Sequence, residues 1–267
     1  METPPPQPNI FEPDIDAVRA VIAHALKADQ SWLDAEGVAT VLAAYGIPQP
    51  LSRHVVTADD AAAAAGDIGF PVALKLRSPD ITHKSDVGGV ALGLRDAAAV
   101  RDAATAMMRD VRAARPDARI DGLLVQQMIA RPGAVELLAG LSDDAVFGPV
   151  VVFGQGGTAV EIVNDSAVAL PPLNTLLARA QMERTRVWRL LQAYRGKPAA
   201  AVDAVAEVLI RLGQIAADHP EIKEFDINPL LADVKGVVAV DARIRVAEAT
   251  MPGAARLAIA PYPKHLE

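Results

Sequence analysis

The 267-residue chain contains no cysteine, which removes disulfides, thiolate nucleophiles and cysteine-ligated metals from consideration. Aromatic residues make up 4% of it, too few for a platform on which the bases of a single strand would stack. Positive charge is not in surplus: 26 Lys and Arg stand against 33 Asp and Glu, a formal net charge of −7. The clustered cations that dominate non-specific nucleic-acid binding are therefore not expected. Long apolar runs are missing too. The longest lies near residues 145–153, far short of the roughly 20 residues a membrane helix needs. The start, METPPPQPN, has neither the positive region nor the apolar core of a secretory signal. What is present is a 51% hydrophobic composition, enough for one large domain or two small lobes. The expectation is a soluble, cytoplasmic protein that engages neither nucleic acid nor membrane.

Five of the 20 prolines fall in residues 1–13, which reads as an extended lead-in. Helical spacing of Val18, Val21, Ile22 and Leu26 predicts a helix over 14–29. A second helix has Ser31 as its cap, Asp34 as capping-box partner, and Gly46 then Pro48 at its end. An alanine-rich third follows Thr57 and ends near Gly66, and a longer fourth runs over 96–115. Strands are predicted over 71–76, 89–94, 122–128, 134–139 and 149–153, then two helices over 174–194 and 199–219, and a closing strand pair over 222–231 and 237–243. Strand–helix mixing with two strand-rich clusters indicates a two-lobed α/β or α+β protein. Prolines 252, 261 and 263 mark the end as a tail or linker.

Residues 224–244, EFDINPLLADVKGVVAVDARI, carry the most direct chemical signal. A hairpin symmetric about the turn Asp233-Val234-Lys235-Gly236 sets Asn228 opposite Asp241 and Asp226 opposite Arg243. Period-two alternation then places these four polar residues on one face, and Phe225, Ile227, Leu231, Val238, Val240 and Ile244 on a core face. Opposed residues have Cβ atoms about 4.5–5.5 Å apart, so an amide oxygen and a carboxylate there can share a hard cation such as Mg²⁺. A solvated polar face with an Asp–Arg pair is the plainer alternative.

Two glycine-rich loops follow strands. In the first, Ser85-Asp86-Val87-Gly88-Gly89, the glycines allow close approach to a phosphate and a nest of backbone N–H groups. Lys75 on the preceding strand adds a point charge. A polar hairpin connection is the plainer reading of the loop taken by itself. The second, Gly154-Gln155-Gly156-Gly157, ends the apolar strand 149–153. Such a cluster marks a close approach by ligand or backbone, or only a sharp turn. His83 is the one histidine of five set in such a loop. It could act as a nucleophile, or simply be solvated.

Together, PVALKLRSPDITHKSDVGGV, FGPVVVFGQGGTAVEIVND and EFDINPLLADVKGVVAVDARI, in this order and spacing, resemble the ATP-grasp part of NDP-forming acyl-CoA synthetases, the ADP-forming acetate–CoA ligases. Residues 170–198 and the end PYPKHLE resemble a subgroup fused to GNAT acetyltransferase domains, as in bacterial lysine acetyltransferases. The resemblance implies an ATP-grasp fold with nucleotide held between a small lobe, residues 30–124, and a large lobe, residues 125–248. Residues 1–29 would form an extension and helix, and 249–267 a tail. It implies ATP or ADP with Mg²⁺ as ligands. Lys75 matches the phosphate-binding lysine, and Ser85, Asp86, Val87, Gly88 and Gly89 match the phosphate loop. Gln126, Gln127 and Met128 match the hinge beside adenine, and Glu136 an acidic residue of the nucleotide site. Gly154, Gly156 and Gly157 match a second glycine loop near the phosphoryl path, and Asn228 and Asp241 match the Mg²⁺ ligands. His83 matches a histidine that relays a phosphoryl group.

The implied reaction is acid + CoA + ATP ⇌ acyl-CoA + ADP + phosphate. The family's CoA-binding and ligase domains have no counterpart in these residues. The expectation is thus a β-type subunit, or a piece of a fusion, that needs a CoA-binding α-type subunit or domain through which a small carboxylic acid and CoA enter. Two alternatives stand beside it: a ligand-sensing domain regulating a fused GNAT acetyltransferase without turnover, and a carboxylate–amine ligase, which has no use for His83.

Overall fold

The computed structural model describes residues 11–81, 84–157, 164–251 and 253–259. Contacts divide the chain into two units. One comprises residues 1–49 with 131–267, the other residues 50–130.

The unit of residues 50–130 is a four-stranded sheet with two helices on one face. Its elements are β1 (Ser52–Val55), α3 (Ala58–Ile68), β2 (Val72–Arg77), β3 (Val90–Leu94), α4 (Ala97–Ala114) and β4 (Gly122–Gln127), with strand order β1-β4-β2-β3. Thr57 caps α3 by accepting from the Asp60 N–H, and Asp96 caps α4 by accepting from the Ala99 N–H. The alanine-rich α3 lies close to α4 because its buried face is only Ala61, Ala62, Ala64 and Ala65. Ala61, Ala64 and Ala65, with Val100, Met107 and Val111 of α4, cover Leu74 and Leu76 of β2 and Leu123 and Val125 of β4. Alternation therefore turns Lys75, Leu124 and Gln126 to the opposite face.

The other unit is built on a six-stranded antiparallel sheet. It contains α1 (Ile15–Lys27), α2 (Ala35–Ala44), β5 (Val135–Asp144), β6 (Gly148–Gln155), β7 (Ser166–Ala169), α5 (Thr175–Glu183), α6 (Trp188–Leu191), α7 (Val202–Asp218), β8 (Ile222–Asp233), β9 (Gly236–Ala239) and β10 (Ala242–Val246). The path runs β10-β8-β5-β6-β7, with β9 also on β8. The core joins Val208, Leu209, Leu212 and Ile215 of α7 to Leu137, Leu141, Val151, Phe153, Phe225 and Ile227 of the sheet.

Several expectations change here. Asp34, not Ser31, caps α2, accepting from the Gly37 N–H at 2.9 Å. Ser31 is instead tied to the sheet edge, where its carbonyl accepts from the Val246 N–H and the Leu33 N–H bonds to Ile244 O. This edge pairing, with Val38, Val41 and Leu42 buried in the large core, is why α2 groups with residues 131–267. The single helix expected over 174–194 is two, because Arg184 to Val187 leave the helical path and Asp165 accepts the N–H groups of Arg186 and Val187. Strands β1 and β7, each of four residues, were not expected; they are too short to show a period. No helix among the described residues is long and apolar enough to cross a membrane.

His219, just after α7, is fully buried, neither ring nitrogen has a hydrogen-bond partner among the described residues, and the Tyr45 ring meets it edge-on at 5.8 Å. Burial, aided by the Arg19 charge, lowers its pKa from 6.5 to about 4. The unfolded chain therefore binds a proton that the folded chain refuses. The stabilisation is fully present above pH 6.5 and is lost as pH falls toward 4, about 3 kcal/mol in all. Urea midpoints of the wild type and His219→Phe at pH 7 and pH 4.5 check this: the variant should lose much less stability across that interval, and equal losses would refute the assignment.

Candidate functional site

The closing hairpin has the register expected of it. Arg243 pairs with Asp226, Ile244 with Phe225 and Leu231 with Val238. The Asn228 N–H donates to Asp241 O at 3.1 Å, so the backbone brings the two residues opposite each other at the break between β9 and β10, where the single strand expected over 237–243 divides. The core face differs from simple alternation. Phe225 and Ile227 are buried, but so are Leu230 and Ala232, whereas Leu231 and Val240 are only half-buried. The cause is a bulge. Leu137 of β5 pairs with Leu230 and Ala139 with Ile227, so β8 uses one more residue than β5. The extra residue falls at Asn228-Pro229 and switches the strand's parity, a device common beside functional sites.

Asn228 Oδ1 accepts from the Gly157 N–H at 2.8 Å. Gly157 has φ +88°, and a Cβ there would strike the Glu136 carboxylate. The preceding Gly156 donates its N–H to Glu136 O at 2.9 Å, and a Cβ on it would overlap the Leu137 backbone. The second glycine loop is thus glycine because it lies directly on β5, and it meets Asn228 as a result. Asp226, beside Asn228 on β8, faces Arg243 at 3.6 Å. Its partial burial raises its pKa, against the pull of Arg243 and with support from Glu224 and Asp241. Asn228 and Asp241 present hard oxygen donors, the chemistry Mg²⁺ requires. No group of three or more His, Cys, Asp or Glu gathers among the described residues, so water and phosphate oxygens would have to complete such a shell.

The residues of the other unit form their own constellation. Lys75 donates from Nζ to Gln126 Oε1 at 2.7 Å. An amide holds the ammonium in place without cancelling its charge. Gln127 bonds to Leu51 through backbone and side chain, and Met128 Sδ accepts from the Gly93 N–H. In the first glycine loop the Gly88 and Gly89 N–H groups bond to Ser85 O and Lys84 O, at 3.2 and 2.7 Å. These two amides are therefore engaged within the loop and are not a ready nest for an anion. A Cβ on Gly89 would press on Lys84 O and Leu76, which makes packing the reason for that glycine. Ser85, Asp86 and Gly88 are exposed. His83 lies outside the described residues.

The residue that pattern reading passed over is Arg131. Its Nη1 bonds to Asp233 Oδ1 at 3.2 Å and to Gly236 O at 3.0 Å, gripping the β8–β9 turn. A loop arginine next to Pro132-Gly133 gives no such signal, because its partners are about a hundred residues away in sequence.

The chain belongs to the ATP-grasp family, whose domain matches residues 24–246. The fold is the one expected, with mixed helices and antiparallel sheets. Within that family its relatives include ADP-forming acetate–CoA ligases. It is 34% identical over 226 residues to the β subunit of Acetate–CoA ligase [ADP-forming] I of Pyrococcus furiosus, covering 85% of this chain and 96% of that subunit. It is 37% identical over 231 residues to Acetate–CoA ligase [ADP-forming] I of Archaeoglobus fulgidus, covering 85% of this chain and 33% of that protein. The chain thus spans about a third of the longer relative. Among solved structures it resembles acetyl-coenzyme A synthetase 1 of Ca. Korarchaeum cryptofilum, with TM-score 0.75 and 34% identity over 86% of this chain and 100% of that one. That structure holds coenzyme A and Mg-AMPPCP, with its phosphohistidine segment pointing towards the nucleotide-binding site.

Removing Arg131 exposes two acceptors at a half-buried turn. Arg131→Ala should lower unfolding free energy by about 1–2 kcal/mol, and Arg131→Lys should recover only part of it, since lysine lacks the planar fork. Urea denaturation of the three proteins checks this; an unchanged midpoint in Arg131→Ala would show that the grip carries no stability.

Proposed function

We propose that this chain is the nucleotide-binding component of an ADP-forming acyl-CoA synthetase, working with a CoA-binding partner chain or domain. The observation that carries the reading is the opposition of Asn228 and Asp241 across the closing hairpin, with Asn228 Oδ1 held at the second glycine loop. Those two residues would hold Mg²⁺ on the nucleotide phosphates, and the metal would supply charge neutralisation there. Lys75, aimed by Gln126, would add a fixed cation on the phosphates. Phosphoryl transfer asks for little else from a protein beyond positioning and charge. His83 is the carrier in this reading: its ring nitrogen bonds to phosphorus as the bond to the ADP oxygen breaks, and the reverse step regenerates ATP. Such a carrier divides one long transfer into two short ones. Glu136, Gly154, Gly156 and Gly157 would border the phosphoryl path, and Gln127 and Met128 the adenine. The relatives support this reading, being ligases or ligase subunits. A ligand-sensing domain on an acetyltransferase gains no support from them or from the geometry.

Calorimetric titration of the chain with Mg-ATP and Mg-ADP should show binding that the Asn228→Ala/Asp241→Ala pair abolishes. Absence of magnesium-dependent binding in the wild type would overturn the reading. With the partner present, His83→Ala should stop acyl-CoA-dependent ATP formation while leaving nucleotide binding; retained turnover would exclude the relay.

Gln126 separates aim from charge at Lys75. Gln126→Glu should weaken Mg-ADP binding roughly five- to tenfold, because a carboxylate cancels the ammonium that a neutral amide leaves available. Gln126→Ala should cost less. A glutamate variant binding as tightly as the wild type would remove Lys75 from the phosphate site.

A further inference from the structure

The two ends of an asparagine amide have nearly the same shape but opposite chemistry: oxygen can ligate a cation, whereas NH₂ repels one. Nothing in the side chain alone selects between them. At Asn228 the selection is made by a backbone N–H, that of Gly157, which can only donate and therefore demands the oxygen. The carbonyl oxygen has two lone pairs. One is taken by Gly157, and among the described residues no other donor takes the second.

We infer that Gly157 is a positioning residue whose N–H locks Asn228 with its oxygen in the cation-ligating orientation, so that the order of the second glycine loop and the affinity of the cation are thermodynamically linked. This rests on the reading of Asn228 as a metal ligand and adds to it the device that makes an amide serve as one. The position of the N–H is itself set from β5. The Gly156 N–H is bonded to Glu136 O, a Cβ on Gly156 would overlap the Leu137 backbone, and Gly157 takes φ +88° with the tip of the Glu136 side chain beside it. β6 delivers the loop, β5 fixes its height, and the bulge of β8 brings Asn228 to it. Linkage is reciprocal: whatever the loop contributes to cation affinity, the cation returns as order in the loop.

The test is a double-mutant cycle on the full chain, with Mn²⁺ and ADP as the probe and paramagnetic resonance as the readout. Gly157→Ala in the wild-type background should weaken Mn²⁺ binding about 10–100-fold, the usual cost of losing an outer partner of a ligand. In an Asn228→Asp background the same change should cost less than about threefold, because a carboxylate has oxygen at both ends and needs no selection. A merely structural role for Gly157 predicts equal costs in the two backgrounds, and that result would overturn the inference. If wild-type chain binds no Mn²⁺ with ADP, the underlying reading fails and the positioning role fails with it; the two failures are thus told apart. A measurement that needs no glycine variant guards against misfolding. Exchange of the Gly157 amide with solvent should be slow in the wild type and in Asn228→Asp, slower again with Mg²⁺ and ADP, and at least about tenfold faster in Asn228→Ala. Exchange indifferent to residue 228 would remove the bond on which the linkage depends.

Discussion

The register of β8 against β9 and β10 is the constraint on which the candidate site depends. Side chains alternate with a period of two, so a slip of one residue would send Asn228 to the face away from Asp241. The turn over Asp233–Gly236 sets that register, with Lys235 N–H closing onto Asp233 Oδ1 and Arg131 gripping the same aspartate and Gly236 O. Hydrophobic burial holds it on the other side, through Phe225, Ile227 and Ile244. A polar pair that a cation can use is therefore held by a turn at one end and a core beneath it.

Both units follow one pattern, a charged or oxygen-bearing group held by a neutral hydrogen-bonding partner. Lys75 is held by the Gln126 amide, and the Asn228 amide by a backbone N–H. An ion pair would have held Lys75 as firmly, but at the cost of the charge that a phosphate would use. Asp226 shows the contrast: paired with Arg243 and partly buried, it is committed within the protein.

Much of this was legible in the sequence. The pairing of Asn228 with Asp241 followed from a turn signal and arithmetic, because hairpin geometry is local. Thr57 as a cap followed from the chemistry of a side-chain oxygen before an alanine-rich run. Parity beyond Asn228 did not follow. Leu230 and Ala232 replace Leu231 in the core because of a bulge against β5, a strand about ninety residues earlier. Likewise Ser31 reads as a cap by spacing, yet it belongs to a sheet edge formed by residues past 240.

By itself the sequence determined most of the elements, the pairing register of the closing hairpin, and the family to which three motifs in fixed order point. These depend on residues near one another in the chain, where propensity, turn chemistry and periodicity act directly. Only the tertiary structure decided why each glycine is glycine. Gly89 is required by Leu76 and its own loop, Gly156 by the β5 backbone, and Gly157 by its φ of +88°. It also decided that the Gly88 and Gly89 amides are engaged, that Gln126 holds Lys75, and that Gly157 selects the oxygen of Asn228. Each of these is a close approach between segments far apart in sequence, and packing distance leaves no trace in local pattern.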